Sequence, residues 1–370
     1  MNIEAATAEW QSLLGPGHVL TLAQAQAAYG ADTGGATRFI PAALRVTDSA
    51  HLPEVMRIAR RHRTPVHPIS TGRNWGYGTA LPPVDGCTII DLSGLRRILH
   101  YAAELGVVTV EPGVTQGMLA DFLEAGRHPY MVLTTGAGPS CSLVGNAVER
   151  GFGITPVSDH FAAVTDLEAV LADGSIYRSA MRELAGPDLA RLFKWGIGPY
   201  TTGLFTQSGW GIVTRMSIAL ARRPERVMTC VFSLADDARL EEAVSRTRAA
   251  LASLPGVVGG INLMNRHRVL AMTVCNPLRN PWHRPVRTAR AAAALPGTGL
   301  ADGLLERGPG ACTPAPGRMD ARRMGGAYRA HRPHVGAVIG ADRGTTERDS
   351  VAAGVLASQR RPAREPPPRR

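Results

Sequence analysis

Between residues 39 and 69 two short apolar runs flank one amphipathic stretch, and the second run opens directly into glycine. "RFIPAALRVTD" and "TPVHPIS" read as strands. Between them, "SAHLPEVMRIARRH" puts Leu52, Val55, Met56 and Ile58–Ala59 on one helical face, with Ser49 as the expected N-cap. A strand–helix–strand unit of this kind gives parallel neighbours in a sheet. The loop that follows, "PISTGRNWGYG" (68–78), joins three glycines to Ser70, Thr71, Arg73 and Asn74. Glycine allows positive φ and lets main-chain N–H groups approach an anion with no Cβ in the way. The loop is neither G-x-G-x-x-G nor a Walker loop. Taken alone, it reads equally as a tight connection with exposed polar residues.

Downstream, "CTIIDL" and "GVVTVEPG" read as strands, and "TQGMLADFLEAG" as a helix closed by Gly126. A second block holds "TTGAGPSCSLVGNAVERGFGITP", in which Gly145-Asn146 is expected to open a short helix. It also holds "DLEAVLADGSIYRS", where Asp173-Gly174 between alternating runs predicts a hairpin. "GIVTRMSIALARRP" is a further strand ending at Pro224. "RVMTCVFSLAD", "ARLEEAVSRTRAALASLPG" and "GGINLMNRHRVLAMTV" then begin another strand–helix–strand unit.

The formal net charge of +11 invites a nucleic-acid reading. Its distribution argues against one. Residues 281–370 hold 16 arginines against 7 acidic residues, which leaves the first 280 residues close to neutral and without a helix-turn-helix, RNA-recognition or zinc pattern. The tail is Ala, Arg, Gly and Pro in irregular order and is expected to be disordered. A natural low-complexity tail and a shifted reading frame in GC-rich codons both give this composition. Five scattered cysteines without C-x-x-C spacing argue for reduced thiols and no metal site. The start "MNIEAATAEWQSLL" is unlike a signal peptide, and no apolar run reaches membrane-spanning length, so a cytoplasmic location is expected.

Two backbone-rich loops about seventy residues apart on one β-rich scaffold suit a long ligand gripped at two places, and a dinucleotide such as FAD is long enough to need that. The ordered set "PISTGRNWGYG", "VEPGVTQGML", "GNAVERGFGITPVSDH", "LEAVLADGSIYRS" and "WGIGPYTTGLFTQSGWGIVT" resembles the vanillyl-alcohol oxidase / p-cresol methylhydroxylase (PCMH-type) flavoprotein family. The likeness is dense over about residues 40–224 and thins out towards 280. It implies an α+β chain: an N-terminal segment (1–38), an FAD-binding domain of two α/β subdomains (39–224), an incomplete cap or substrate domain (225–280) and the tail (281–370).

The same resemblance assigns roles. The backbone of Ser70, Thr71, Gly72, Arg73, Asn74 and Gly76 is expected along the FAD pyrophosphate. Gly138, Ser140, Ser142, Gly145 and Asn146 are expected at the flavin and its ribityl-phosphate arm, and Glu149, Arg150, Gly151 and Gly153 would shape the same cleft. Ile212 and Val213 match a strand near the adenine. Glu149 and Arg150 read alternatively as an adjacent pair fixing the helix. Tyr77 matches the tyrosine that hydrogen-bonds a substrate's phenolic oxygen, so the implied reaction is hydride abstraction from the benzylic carbon of a 4-alkylphenol or aromatic alcohol. Oxidation of a 2-hydroxy acid or sugar alcohol, or a truncated inactive FAD-binding module, are the other readings. Departures from the family matter too: Ala137 stands where some members carry an aspartate, Val157 replaces an aromatic residue, and no R-G-G-H motif is present. Non-covalent FAD is therefore expected, with oxygen or a cytochrome as electron acceptor and a homodimer as the family's common assembly. Asp159-His160 reads as a structural pair.

Overall fold

A computed structural model of the chain describes residues 2–32, 35–73, 80–153, 158–225, 228–234, 236–265 and 335–341. It divides into two compact units, Met1–Arg223 and Pro224–Arg370.

The first unit begins with α1 (Ile3–Leu14), β1 (Val19–Leu20) and α2 (Leu22–Tyr29), followed by β2 (Ala43–Arg45), α3 (Leu52–Arg61), β3 (Val66–Ile69) and β4 (Thr88–Asp91). The strands form a sheet in the order β1-β2-β4-β3. β2 and β3 both run parallel to β4, so the strand–helix–strand unit is present, but β4 lies between its two strands. The run expected as a strand over 38–48 pairs only over three residues. Before it, Phe39 N–H donates to Asp85 Oδ1 at 2.8 Å and Ile40 N–H to Gln26 Oε1 at 2.9 Å, so side chains take the place of a ladder. The N-terminal cap before α3 is Asp48, not Ser49. Its Oδ1 accepts from Ala50 N–H at 2.9 Å, while Ser49 already belongs to the 3₁₀ turn leading into the helix. α3 buries Leu52, Val55, Met56, Ile58 and Ala59, the face its spacing predicts. Trp10 of α1 is fully buried against it and donates Nε1–H to Val55 O at 3.2 Å. Each such aliphatic side chain contributes about 1.5–3 kcal/mol when removed from water.

A second sheet follows. Its elements are β5 (Ile98–Ala102), β6 (Val107–Val110), α4 (Gln116–Ala125), β7 (Tyr130–Met131), α5 (Leu143–Val148), β8 (Val164–Leu171), β9 (Ile176–Arg178), α6 (Ala180–Ala190), β10 (Gly211–Ala219) and β11 (Ala221–Arg222). The order is β5-β6-β10-β8-β9, antiparallel throughout, and β11 pairs separately with β7. The Asp173-Gly174 turn joins β8 to β9 as expected: Gly174 has φ +82°, and Asp173 Oδ1 accepts from Ser175 N–H at 2.9 Å. A Cβ on Gly174 would lie 2.5 Å from Pro53 O, so the turn sits on the start of α3. Side-chain alternation, switched in β10 by a bulge between Val213 and Arg215, divides the strands between two cores. Val170 and Ile212 join the core around α1 and α3, whereas Ala169, Val213 and Met216 face α4 and α5. Buried charge is paired: Arg182 Nε–H donates to fully buried Asp166 at 2.9 Å, and Glu168 accepts from Arg178 and Arg215 at 2.8 and 2.9 Å.

In the second unit β12 (Met228–Leu234), α7 (Leu240–Ser253) and β13 (Ile261–Asn265) follow the order expected from sequence. Within the stretch expected as a disordered tail, β14 (Val335–Ala341) forms the middle strand of an antiparallel sheet ordered β12-β14-β13. Among the described residues no helix is long and apolar enough to cross a membrane, and no group of His, Cys, Asp or Glu could hold a metal ion.

Candidate functional site

β3 ends at Ile69, and the chain turns through Ser70, Thr71, Gly72 and Arg73, with Gly72 at φ +59°. Within this turn the N–H groups of Thr71, Gly72 and Arg73 donate to no group among the described residues. Thr71 Oγ1–H donates to Ser140 O at 3.1 Å. A Cβ on Gly145 would lie 2.4 Å from Ser70 Oγ, so main chain and hydroxyl meet there with no room for a side chain. The two glycine-rich stretches therefore converge. Asn74, Gly76 and Tyr77 lie outside the described residues.

The second stretch is shaped by the start of α4. Gly117 N–H donates to Pro139 O at 2.8 Å and Gln116 N–H to Cys141 O at 2.9 Å, so loop carbonyls satisfy donors that a helix start leaves free. The buried Gln116 amide closes the loop from inside. It accepts from Thr135 N–H at 2.8 Å and donates to Thr135 Oγ1 at 3.1 Å and to Gly138 O at 3.0 Å. Gly138 has φ +90°, and a Cβ on it would meet nothing within 4 Å, so its outer face is open. Burial holds the neighbouring Cys141 thiol above its ordinary pKa, against hydrogen bonds from Thr135 and Gln116. Glycine does not start α5. Ser142 caps it, accepting from Gly145 N–H at 2.9 Å and donating to Pro112 O at 2.6 Å, and Gly145 and Asn146 lie within the helix. The Ser142 hydroxyl is thereby fully engaged in structure.

Asn146 Oδ1 is hydrogen-bonded to His160 Nδ1, and Asn146 O accepts from Gly151 N–H at 2.8 Å. His160 is 4% exposed, and its Nε2 has no partner among the described residues. Burial pushes its pKa down, opposed by Asp159, so the ring is neutral at pH 7. Gly153 leaves room for it, because a Cβ there would lie 1.9 Å from Nε2. Glu149 and Arg150 are both exposed and form no mutual ion pair among the described residues. Arg150, at φ +52°, donates Nε–H to Thr206 Oγ1 at 2.9 Å instead. Ile212 and Val213 are buried on opposite faces of β10, in separate cores, so only their backbone is available to a ligand. β6 pairs with β10 only over Met216–Ala219, which leaves Gly211–Val213 with β8 as their one partner in the sheet.

Loop amides without an acceptor among the described residues suit an anionic diphosphate, and glycine contact between the loops suits a ligand lying along bare main chain. An open face at Gly138 and a buried imidazole nitrogen without a partner among the described residues add an approach surface and one acceptor. The residues present fit a dinucleotide. Sequence reading did not pick out Gln116, because a glutamine in the first turn of a helix ordinarily faces water; its place after "GVT" was the available signal.

Residues 40–180 match the FAD binding domain family. The chain is 38% identical over 271 residues to 1'-carboxy-chondrochloren decarboxylase of Chondromyces crocatus, covering 73% of this chain and 50% of that protein. It is 36% identical over 207 residues to the 4-cresol dehydrogenase [hydroxylating] flavoprotein subunit of Pseudomonas putida, covering 56% and 40%. A solved structure of p-cresol methylhydroxylase with substrate bound superposes with a TM-score of 0.68 at 26% identity, covering 92% of this chain and 60% of that one. The chain thus spans about half the length of the curated relatives it matches.

Proposed function

We propose that the chain, whose residues 40–180 match the FAD binding domain family, is the cofactor-holding part of an oxidoreductase acting on a 4-alkylphenol or related aromatic alcohol. The observation that carries the reading is the meeting of the Ser70–Arg73 turn with the Ser140–Gly145 stretch.

Bound FAD supplies a two-electron acceptor for a hydride. The amides of Thr71, Gly72 and Arg73, without an acceptor among the described residues, would hold the diphosphate, and the open face at Gly138 would be presented to the flavin. Asn146, held by His160, and the unpaired backbone edge at Ile212–Val213 serve the rest of the dinucleotide. Tyr77 donates its hydroxyl to the phenolic oxygen of the substrate. The phenolic O–H gives up its proton to solvent, the charge gathered on that oxygen raises electron density at the para position, and a hydride leaves the benzylic carbon as the ring becomes a neutral quinone methide. A placed donor of this kind is worth about 10²–10³ in rate. Position 137 is alanine, so no carboxylate there takes a proton from water attacking the product. The holding is non-covalent, and the electrons pass on to oxygen or to a cytochrome.

A second reading is favoured by the 38% match to a protein named as a decarboxylase: the substrate carries a carboxylate that leaves as carbon dioxide at the same site. Matches of 29% to a probable D-lactate dehydrogenase of Danio rerio and 28% to glycolate oxidase subunit GlcD of Bacillus subtilis keep 2-hydroxy acids as a third substrate class. One experiment separates them. The full chain is loaded with FAD and mixed anaerobically with 4-alkylphenols, their carboxylated counterparts and 2-hydroxy acids, while flavin absorbance and released carbon dioxide are followed. Bleaching by phenols without carbon dioxide supports the first reading. Carbon dioxide release, or bleaching by hydroxy acids alone, replaces it, and a chain that takes up no FAD defeats all three.

A further inference from the structure

We infer that Gln116 is a positioning residue that sets the shape of Thr135–Gly138 and, through that loop, the affinity for FAD; the inference rests on the reading of the site given above. Thr135–Gly138 has little packing of its own. Gly136 is exposed, and an added Cβ on Gly138 finds open space. Three hydrogen bonds with Gln116, the Ala137 N–H bond to Thr135 Oγ1 at 3.1 Å and the Cys141 N–H bond to Gly138 O at 3.1 Å hold the loop. From outside the loop the Cys141 thiol also meets Thr135, but Gln116 is the side chain that reaches both its ends.

The geometry is specific to a carboxamide. One oxygen and both N–H directions are used at once, from a side chain 5% exposed. Leucine would match its bulk and supply neither donor nor acceptor. Glutamate would keep the acceptor for Thr135 N–H but turn a second oxygen towards Gly138 O, where a donor is needed. Because Gly138 carries its carbonyl inward to Gln116 at positive φ, its opposite face is the one presented outward. Without Gln116 that carbonyl keeps one bond, from Cys141 N–H at 3.1 Å, while Thr135 at the other end of the loop loses both of its Gln116 bonds, so the surface offered to the flavin loosens without any ligand-contacting atom being removed.

The test uses the full chain stripped of FAD and titrated with FAD, following tryptophan and flavin fluorescence and the visible spectrum of the bound flavin, with a melting curve of each apoprotein. Gln116→Leu, Gln116→Glu and Thr135→Val are compared with Thr109→Val, which breaks a buried hydroxyl pair with Ser217 (2.8 Å) inside the second sheet. Each of the first three is expected to weaken FAD binding by roughly tenfold or more, as leaving buried polar groups unpaired implies, and to shift the flavin spectrum. Thr109→Val is expected to lower the melting temperature with affinity unchanged. If Gln116→Leu fails to fold, Gln116→Glu and Thr135→Val decide the matter. FAD affinities within twofold of wild type in the folded variants, with unshifted spectra, overturn this inference alone. A wild-type chain that binds no FAD overturns the reading of the site itself.

Discussion

Gly145→Ala is the sharpest probe of the contact on which the site depends. The new methyl would sit 2.4 Å from Ser70 Oγ, 3.4 Å from Ser70 Cβ and 3.5 Å from Ser142 Cβ. Two effects oppose each other. Alanine in place of glycine inside α5 stabilises the helix by about 0.5–1 kcal/mol. Forcing a methyl into an occupied space costs about 1–3 kcal/mol. The ligand-free chain can relieve the crowding by letting the Ser70 turn swing away, so its melting temperature should hold steady or rise slightly. FAD requires the two loops together, so the crowding reappears as lost affinity, roughly 5- to 150-fold at about 1.4 kcal/mol per factor of ten. Ser70→Ala removes the offending oxygen and leaves an ordinary contact between two Cβ atoms. The double variant should therefore bind FAD within a few-fold of Ser70→Ala alone and melt higher than either loop in its native form. Fluorescence titration of the four full-length proteins makes a complete cycle. If Gly145→Ala binds FAD as tightly as wild type, or if Ser70→Ala restores nothing, the two loops do not close on one ligand.

Three further outcomes are expected. Tyr77→Phe should keep FAD bound while slowing anaerobic flavin reduction by 4-alkylphenols about 10²–10³-fold in stopped-flow traces; unchanged rates remove Tyr77 from the chemistry. Gly153→Ala should lower stability by about 1–3 kcal/mol in a denaturant melt, because its Cβ would lie 2.5 Å from the carbonyl oxygen of Thr134 and 1.9 Å from His160 Nε2; a variant as stable as wild type means that this turn is not as tightly packed as described. Burial depresses the pKa of both His160 and His67 below the ordinary 6.5. The unfolded chain then binds protons that the folded one refuses, so their stabilisation is complete above pH 6.5 and is lost as pH falls below it towards the folded values. Stability measured from pH 7.5 to 5 should decline, and His160→Gln should flatten part of that slope while His67 keeps the rest. An unaltered slope would mean that His160 is not held neutral.

Where structure follows from neighbours in sequence, it was legible. Thr115 starts α4 by accepting from Met118 N–H at 3.2 Å, Gly126 closes it, and Asp173-Gly174 makes its turn with a local side-chain bond. Two glycine-rich stretches were readable as partners because a long ligand needs two grips. Choices between near-equivalent local donors were less so. Asp48 displaced Ser49 as a cap because a carboxylate one residue earlier reaches Ala50 N–H. Ser142 displaced Gly145-Asn146 as the start of α5 because its hydroxyl also finds Pro112 O. What depends on distant pairing was hidden altogether. No local pattern puts β4 between β2 and β3, none places a strand at Val335–Ala341, and none turns the Gln116 amide inward to a loop some twenty residues away.

β10 occupies the centre of the five-stranded sheet yet is the last of those strands in the chain. During synthesis β5 and β6 emerge first and β8 and β9 later, and each hairpin waits on the ribosome with one long side unsatisfied until residue 219 is out of the exit tunnel. The joining step has to bridge more than a hundred residues from β6, which makes it slow compared with either hairpin. Until then the exposed strand edges are an invitation to neighbouring nascent chains. Expression at lower temperature or with chaperones should thus raise the yield of this protein more than any change to its finished surface.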